Sequence, residues 1–195
     1  MKSKFYAVLA RMKYINRWGL MRNTRNENLS EHCLDTAFIA HALVIIHNRK
    51  FGGNLNAEHA ACLAMFHDAS EIITGDMPTP VKYYNPEIRS AYQVAESAAE
   101  QRLIGYLPEY MRADVASLIR HEDKDKEYLP FIKAADKLSA LIKCIEERKM
   151  GNMEFADAEQ STLNAVHKLN VPEAEEFLNT FIDAYSLTLD EQGKD

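Results

Sequence analysis

Glycine, proline and cysteine are scarce in this sequence, at 7, 6 and 3 residues among 195. With so few turn-formers, long stretches run uninterrupted, and none alternates with the period of two that a half-buried strand requires. Three widely spaced cysteines, Cys33, Cys62 and Cys144, contain no CxxC pair. They exclude a disulfide framework and a thiolate zinc site, and read as small core residues. A long apolar run is also missing: the longest, Ala37 to Ile46, is interrupted by His41 and falls short of the roughly 20 residues a membrane helix needs. No signal-type apolar run with a cleavage site follows Lys2 and Lys4. These absences predict a cytoplasmic protein with no membrane partner.

Positive charge is in deficit too, with 23 basic against 29 acidic residues and a net charge of −6. The deficit is uneven, because residues 1–50 hold nine Lys/Arg and three acids, leaving +6 there and −12 in the remainder. So negative a whole-chain field speaks against a polymeric nucleic-acid partner, yet permits a local site for a small anion.

What is present is helical patterning. A hydrophobic fraction of 47% suits one compact domain over 1–195, since domains commonly run to about 100–200 residues. Between the Gly and Pro marks the spacing predicts an all-α helical bundle. Its helices fall near 3–15, 30–49, 57–74, 86–106, 108–121, 127–150, 153–168 and 172–188. Ser30 is the expected N-cap of the second, in which Leu34, Ala37, Phe38, His41 and Ile45 share one stripe, and Asn56 caps the third. Gly75 sits where a left-handed C-terminal residue is expected, and Asp76-Met77-Pro78-Thr79-Pro80 cannot continue a helix. Phe177, Phe181 and Tyr185 form a second stripe, for the core or a subunit interface.

Four features carry chemistry: His32, the pair His67-Asp68, Glu71 one turn on, and Asp136 in a later helix. An HD pair in an apolar helix is by itself as readily a packed histidine. However, Asp68 and Asp136 both lie among small apolar residues, where an unpaired carboxylate is expensive. Two imidazoles and two carboxylates satisfy one another best around a divalent transition-metal cation. Glu71 shares a side with His67 and Asp68 through its i+4 and i+3 spacing.

His32, His67-Asp68 and Asp136 resemble the H…HD…D signature of the HD-domain phosphohydrolase superfamily. Ile15-Asn16-Arg17-Trp18, Met21-Arg22-Asn23, Glu27-Asn28, Ser30-Glu31-His32, Lys50-Phe51-Gly52-Gly53-Asn54, Ser70-Glu71, Gly75-Asp76 and Pro78-Thr79-Pro80-Val81-Lys82 narrow the likeness to bacterial 5′-deoxynucleotidases. It is dense over about residues 5–85, with Lys133-Ala134-Ala135-Asp136 its main later anchor.

The resemblance implies a single HD domain that removes phosphate from deoxyribonucleoside 5′-monophosphates with one divalent ion, such as cobalt, manganese or another transition metal. His32, His67, Asp68 and Asp136 would bind the ion, and Glu71 would handle the attacking water or the leaving oxygen's proton. Arg17 would orient the phosphate and Trp18 would pack against the sugar near C2′. Asp76, Met77, Pro78 and Thr79 would touch the nucleoside, with Asp76 placed for a sugar hydroxyl or for proton transfer, and His32, Asp68 and Asp136 would meet the substrate from the metal side. The family further implies a homodimer, with the helices over 153–188 serving packing or dimerisation. Only His121 lies between the HD pair and Asp136, too few histidines for a two-metal site. Two alternatives remain at this point: an HD hydrolase of another nucleotide, of alarmone or cyclic type, and a non-catalytic nucleotide-sensing module. Taken without the family, Arg17-Trp18 is a surface arginine beside a core tryptophan, Arg22 and Arg25 are solvated, and His59 is an exposed first-turn residue.

Overall fold

Apolar positions at helical spacing and capped ends account for most of the architecture. The computed structural model describes residues 2–120 and 123–194; the expectation for His121 lies outside them. Among the described residues the helices are α1 (Phe5–Leu9), α2 (Leu29–Lys50), α3 (Ala57–Phe66), α4 (Glu71–Thr74), α5 (Thr79–Lys82), α6 (Pro86–Ile104), α7 (Glu109–Arg120), α8 (Leu129–Lys149), α9 (Ala156–Lys168), α10 (Pro172–Phe181) and α11 (Leu189–Gln192). Short 3₁₀ turns at Ala10–Tyr14, Met153–Phe155 and Ile182–Ser186 complete segments expected as continuous helix. No strand occurs among the described residues, only an isolated antiparallel bridge between Asn16 and Asn28.

Helix α2 is the centre, packed against α3 on one side and α8 on the other, with α10 also against it. Leu43 and Val44 of α2, Leu63 of α3, Leu138 and Leu141 of α8 and Phe177 of α10 join one buried cluster. In α8, Phe131, Ile132, Ala135, Leu138 and Ile142 repeat at three and four residues, placing one stripe on the core. A second cluster, with Phe5, Ala69, Leu103, Leu107 and Ile119, joins α1, α6 and α7 to the turn after α3. At 22 residues with mean hydropathy 1.4 in its most apolar window, α2 is long and apolar enough to cross a membrane, contrary to the expectation from run length. Half of that window is nevertheless buried inside the fold, as befits a core helix.

Several expectations are corrected. The N-cap of α2 is Asn28, not Ser30: its Oδ1 accepts from the backbone N–H of Ser30 and Glu31, and Glu31 returns a bond to the Asn28 N–H. That reciprocal box starts the helix one residue earlier. Asn56 caps α3 as expected. The helix expected over 57–74 is interrupted after Phe66, where His67, Ala69 and Glu71 donate to carbonyls three residues back, so the HD pair occupies tight turns between α3 and α4. The α2 stripe splits, with Ala37 buried while Leu34, Phe38 and Ile45 face solvent. In the C-terminal stripe Phe177 is buried and Phe181 largely exposed. His59 is half-buried, with Nε2 2.7 Å from Asp125 Oδ1.

A candidate metal and nucleotide site

The two candidate histidines arrive from different elements with their outward nitrogens already selected. His67 Nδ1 lies 2.7 Å from the Ala64 carbonyl oxygen, which can only accept, so Nδ1 carries a proton and Nε2 is the ring nitrogen turned to the cluster. His32 is fully buried in α2, with Nδ1 3.0 Å from Ser139 Oγ of α8. Both Nε2 atoms are buried and without a hydrogen-bond partner. One donor atom each from His32, His67 and Asp68 lie within 4.8 Å of one another. Asp136 Oδ1 stands 3.3 Å from His32 Nε2, while its Oδ2 pairs with Lys137 at 2.9 Å. The side chains of Asp68 and Asp136, expected to be buried, are 24% and 26% exposed, which leaves the cluster open to solvent on one side.

This donor set fits a divalent transition metal: two orphaned imidazole nitrogens, two carboxylates, and outer partners that fix each ring. Burial opposes charge on both His67 and Asp68, but their mutual attraction outweighs it. The pKa of His67 is raised well above its ordinary value, and that of Asp68 is lowered well below. The Asp136 carboxyl is likewise held low by His32 and Lys137 against its burial.

Glu71 behaves oppositely. It is buried, its Oε2 has no partner, and burial reinforced by Asp68 and Asp76 pushes its pKa up to about 9. A carboxyl in that state is suited to donating a proton near neutrality. Gly75 ends α4 at φ +77°, a region costly to residues with a Cβ. The chain then delivers Asp76 toward this group, where burial raises its pKa too.

Beside the donor cluster lies a cavity of about 480 Å³, lined by Arg17, Trp18 and the loop Asp76, Met77, Pro78 and Thr79. Thus the structure brings together the substrate-side residues expected from the sequence. Arg17 joins the two parts, with Nη2 4.0 Å from Asp136 Oδ1. Burial works against its guanidinium, but Glu27, Asp136, Asp68 and Asp76 together raise its pKa. Trp18 adopts φ +60°, an uncommon conformation for a bulky residue, and its ring packs 5.3 Å from that of Phe155. Arg22 and Arg25 pair outward with Glu154 and Glu31 and remain solvated.

Sequence reasoning missed the far wall of the cavity, formed by Ala158, Ser161, Thr162 and Ala165 of α9 with Lys137 and Ala140 of α8. Helix α9 therefore serves the site as well as packing. Its only sequence signal is a run of small residues at helical spacing.

Known proteins share this fold. The solved structure of an HD-domain phosphohydrolase from Listeria innocua superposes with a TM-score of 0.79 at 19% identity, covering 97% of this chain and 91% of that one. An HD phosphohydrolase of cyanophage S-2L, DatZ, solved with dA and one catalytic Zn²⁺ ion, gives a TM-score of 0.66 at 18% identity over 91% and 96% of the two chains. In sequence, a 5′-deoxynucleotidase of Photobacterium profundum is 51% identical over 97% of this chain and 98% of its own. One from Yersinia pseudotuberculosis is 50% identical over 97% and 96%. With residues 4–185 matching the YfbR-like 5′-deoxynucleotidases, the chain belongs to that family of HD-domain proteins.

Proposed function

We propose that this chain hydrolyses deoxyribonucleoside 5′-monophosphates to deoxynucleoside and phosphate, using one divalent metal ion held by His32, His67, Asp68 and Asp136. One observation carries the reading: a donor cluster with two orphaned imidazole nitrogens opens beside a cavity whose walls hold a largely buried arginine and the chain's only tryptophan. The names of the half-identical relatives support the substrate class, and the one catalytic zinc ion in DatZ is in keeping with a single-metal site.

When bound, such an ion neutralises phosphate charge and lowers the pKa of the attacking water. The protein's own groups do the rest. Arg17 directs its Nη2 end to the phosphate, a task its planar fork suits. Glu71 holds a proton beside the reacting phosphate and passes it to the departing 5′ oxygen. The Trp18 ring packs on the sugar at C2′, where a ribose hydroxyl would meet an apolar face, so selectivity arises by exclusion. The loop Asp76 to Thr79 holds the nucleoside, with Asp76 placed for a sugar hydroxyl. A cytoplasmic location and a homodimer belong to the same proposal; the uncovered stripe Leu34, Phe38 and Ile45 supports the dimer, which sedimentation tests.

The decisive assay is phosphate release from paired deoxy- and ribonucleoside 5′-monophosphates with cobalt, manganese or zinc added. Wild type releases phosphate from the deoxy series. Asp68→Ala loses the metal, read by elemental analysis, and activity by about a thousandfold or more, since the ion supplies several kcal/mol of the barrier reduction. Wild type silent on every deoxynucleotide with every metal would sink the proposal.

A further inference from the structure

Glu27 is 6% exposed and lies outside the metal cluster. It is not needed to start α2, because Asn28 and Glu31 complete that capping box. Its carboxylate instead points back across the isolated bridge between Asn16 and Asn28, where Arg17 N donates to Glu27 O and Leu29 N to Ile15 O, both at 2.9 Å. There a single oxygen, Oε2, accepts from Arg17 Nη1 at 2.7 Å and from Trp18 Nε1 at 3.0 Å. Arg17 and Trp18, two of the residues that line the cavity from this segment, therefore share one anchor.

The geometry divides the arginine fork. Nη1 is committed to Glu27, whereas Nη2, 4.0 Å from Asp136 Oδ1, is beyond hydrogen-bond distance of a carboxylate and faces the site. The same oxygen holds the indole of a residue at φ +60°, a backbone state costly to a residue with a Cβ and kept only when its surroundings fix it. Asn23 Nδ2 and Met21 N, both donating to Trp18 O, hold the backbone; Glu27 and the Phe155 ring hold the side chain. A carboxylate serving only to neutralise a buried arginine would have no need of the indole N–H.

We propose that Glu27 is a positioning residue for the reaction, one carboxylate oxygen setting the phosphate-orienting fork of Arg17 and the sugar-excluding ring of Trp18 in fixed register. Phosphate binding and deoxy selection are then coupled through it. This rests on the roles given to Arg17 and Trp18 above.

The test uses the metal-loaded enzyme and Glu27→Gln, which keeps shape and removes charge. Because Trp18 is the chain's only tryptophan, its emission reports the indole without any turnover. Glu27→Gln red-shifts that emission, raises KM for a deoxyribonucleoside 5′-monophosphate about tenfold and lowers the deoxy-to-ribo ratio of kcat/KM about tenfold, with metal content unchanged. Trp18→Phe, which retains a ring but no N–H donor and leaves Glu27 charged, loses discrimination with a smaller change in KM. The double variant is less impaired than the product of the two single effects, as groups sharing one contact require. Wild-type emission, KM and discrimination in Glu27→Gln, with only a lower Tm, would overturn the proposal; so would full discrimination in Trp18→Phe, should Glu27→Gln fail to fold. An error in the sugar role itself has another signature, unchanged discrimination in Trp18→Ala, and the emission and KM of Glu27→Gln then decide the anchor alone.

Discussion

The metal side and the substrate side of the site are built by different means. His32 and Asp136 stand on α2 and α8, and the HD pair on the turns that α3 leads into, elements fixed by the main apolar cluster and by Ala69 in the second. Arg17 and Trp18 stand on an irregular segment with little apolar burial of its own. That segment is held by buried carboxylates: Glu27 from within it, and Glu147 of α8 from below. Glu147 accepts from Thr24 N and Oγ1, Arg25 N and Asn152 Nδ2, and pairs with Lys143. Apolar packing aligns the elements that carry the candidate ligands, leaving one hydrogen bond to fix each histidine ring, whereas an irregular loop must have its backbone polar groups satisfied one by one.

The sharpest way to separate the two sides is to cut the loop's lower anchor. Glu147→Ala strips the Thr24 N–H and hydroxyl of their acceptor and the buried Lys143 of its counter-charge, and removing one partner of a buried pair costs about 3–5 kcal/mol. For a chain of this size that lowers Tm by about 10 °C. KM rises with it, because the Arg17 segment loosens, while metal content holds. The pH dependence has a defined sign. Burial alone would raise the Glu147 pKa, but hydrogen bonds from Lys143, Thr24 and Asn152 hold it below the ordinary value. Its stabilisation is therefore complete above the unfolded value near 4.3 and is lost as pH falls below it. Urea unfolding between pH 7 and pH 2 shows wild type losing much of this increment, the rest persisting below that range, and Glu147→Ala lacking it throughout. Metal lost in parallel with KM would mean that the two sides are one cooperative unit.

A smaller effect probes the metal side. The folded-state pKa of Glu71, pushed up to about 9 by burial, Asp68 and Asp76, lies far above the unfolded value near 4.3. Folded protein thus keeps a proton that the unfolded chain releases, so this group's contribution to stability falls as pH rises between those values. Measured in chelator, wild-type Tm declines from pH 5 to pH 9 more steeply than that of Glu71→Gln, which is the more stable by about 3–6 °C at pH 8. The same substitution lowers kcat about a hundredfold by removing the proton donor. Equal slopes in the two proteins would show that Glu71 titrates as an ordinary carboxyl.

The sequence reveals these two sides unequally, for physical reasons. The helices and the candidate metal ligands are legible because their signals are local: a period near 3.6, and carboxylates at Asp68 and Asp136 among small apolar neighbours. The interruption at His67 is not, since turns closed by bonds to the residue three back need neither glycine nor proline. Nor is the α9 wall, whose alanines and hydroxyls carry no charge to mark them. The Glu27 anchor lies ten positions from Arg17, and only the path of an irregular segment brings the two together. Likewise the α2 stripe is visible in the sequence, while the side of the helix left uncovered at Phe38 depends on where α3, α8 and α10 pack.

The smallest expected effect concerns charge that is near in sequence and apart in function. Arg17, Arg22 and Arg25 fall within nine residues and look alike in composition, yet the side chains of Arg22 and Arg25 are 86% and 65% exposed against 12% for Arg17. The Arg22–Glu154 contact is long, at 3.8 Å, and the Arg25–Glu31 pair is solvated at 2.9 Å. Such pairs contribute about 0–1 kcal/mol each. Arg25 meets Glu147 through its backbone N–H and Lys143 through its carbonyl, contacts that truncating its side chain leaves in place. Arg22→Ala with Arg25→Ala therefore changes Tm by no more than about 4 °C and leaves kcat/KM within about twofold at physiological salt. Any residual effect shrinks further as salt rises, since exposed charges are screened over about 8 Å. A tenfold rise in KM at low ionic strength would instead make the basic first quarter a steering field for the anionic substrate, and the division between anchored and solvated arginine would have to be redrawn.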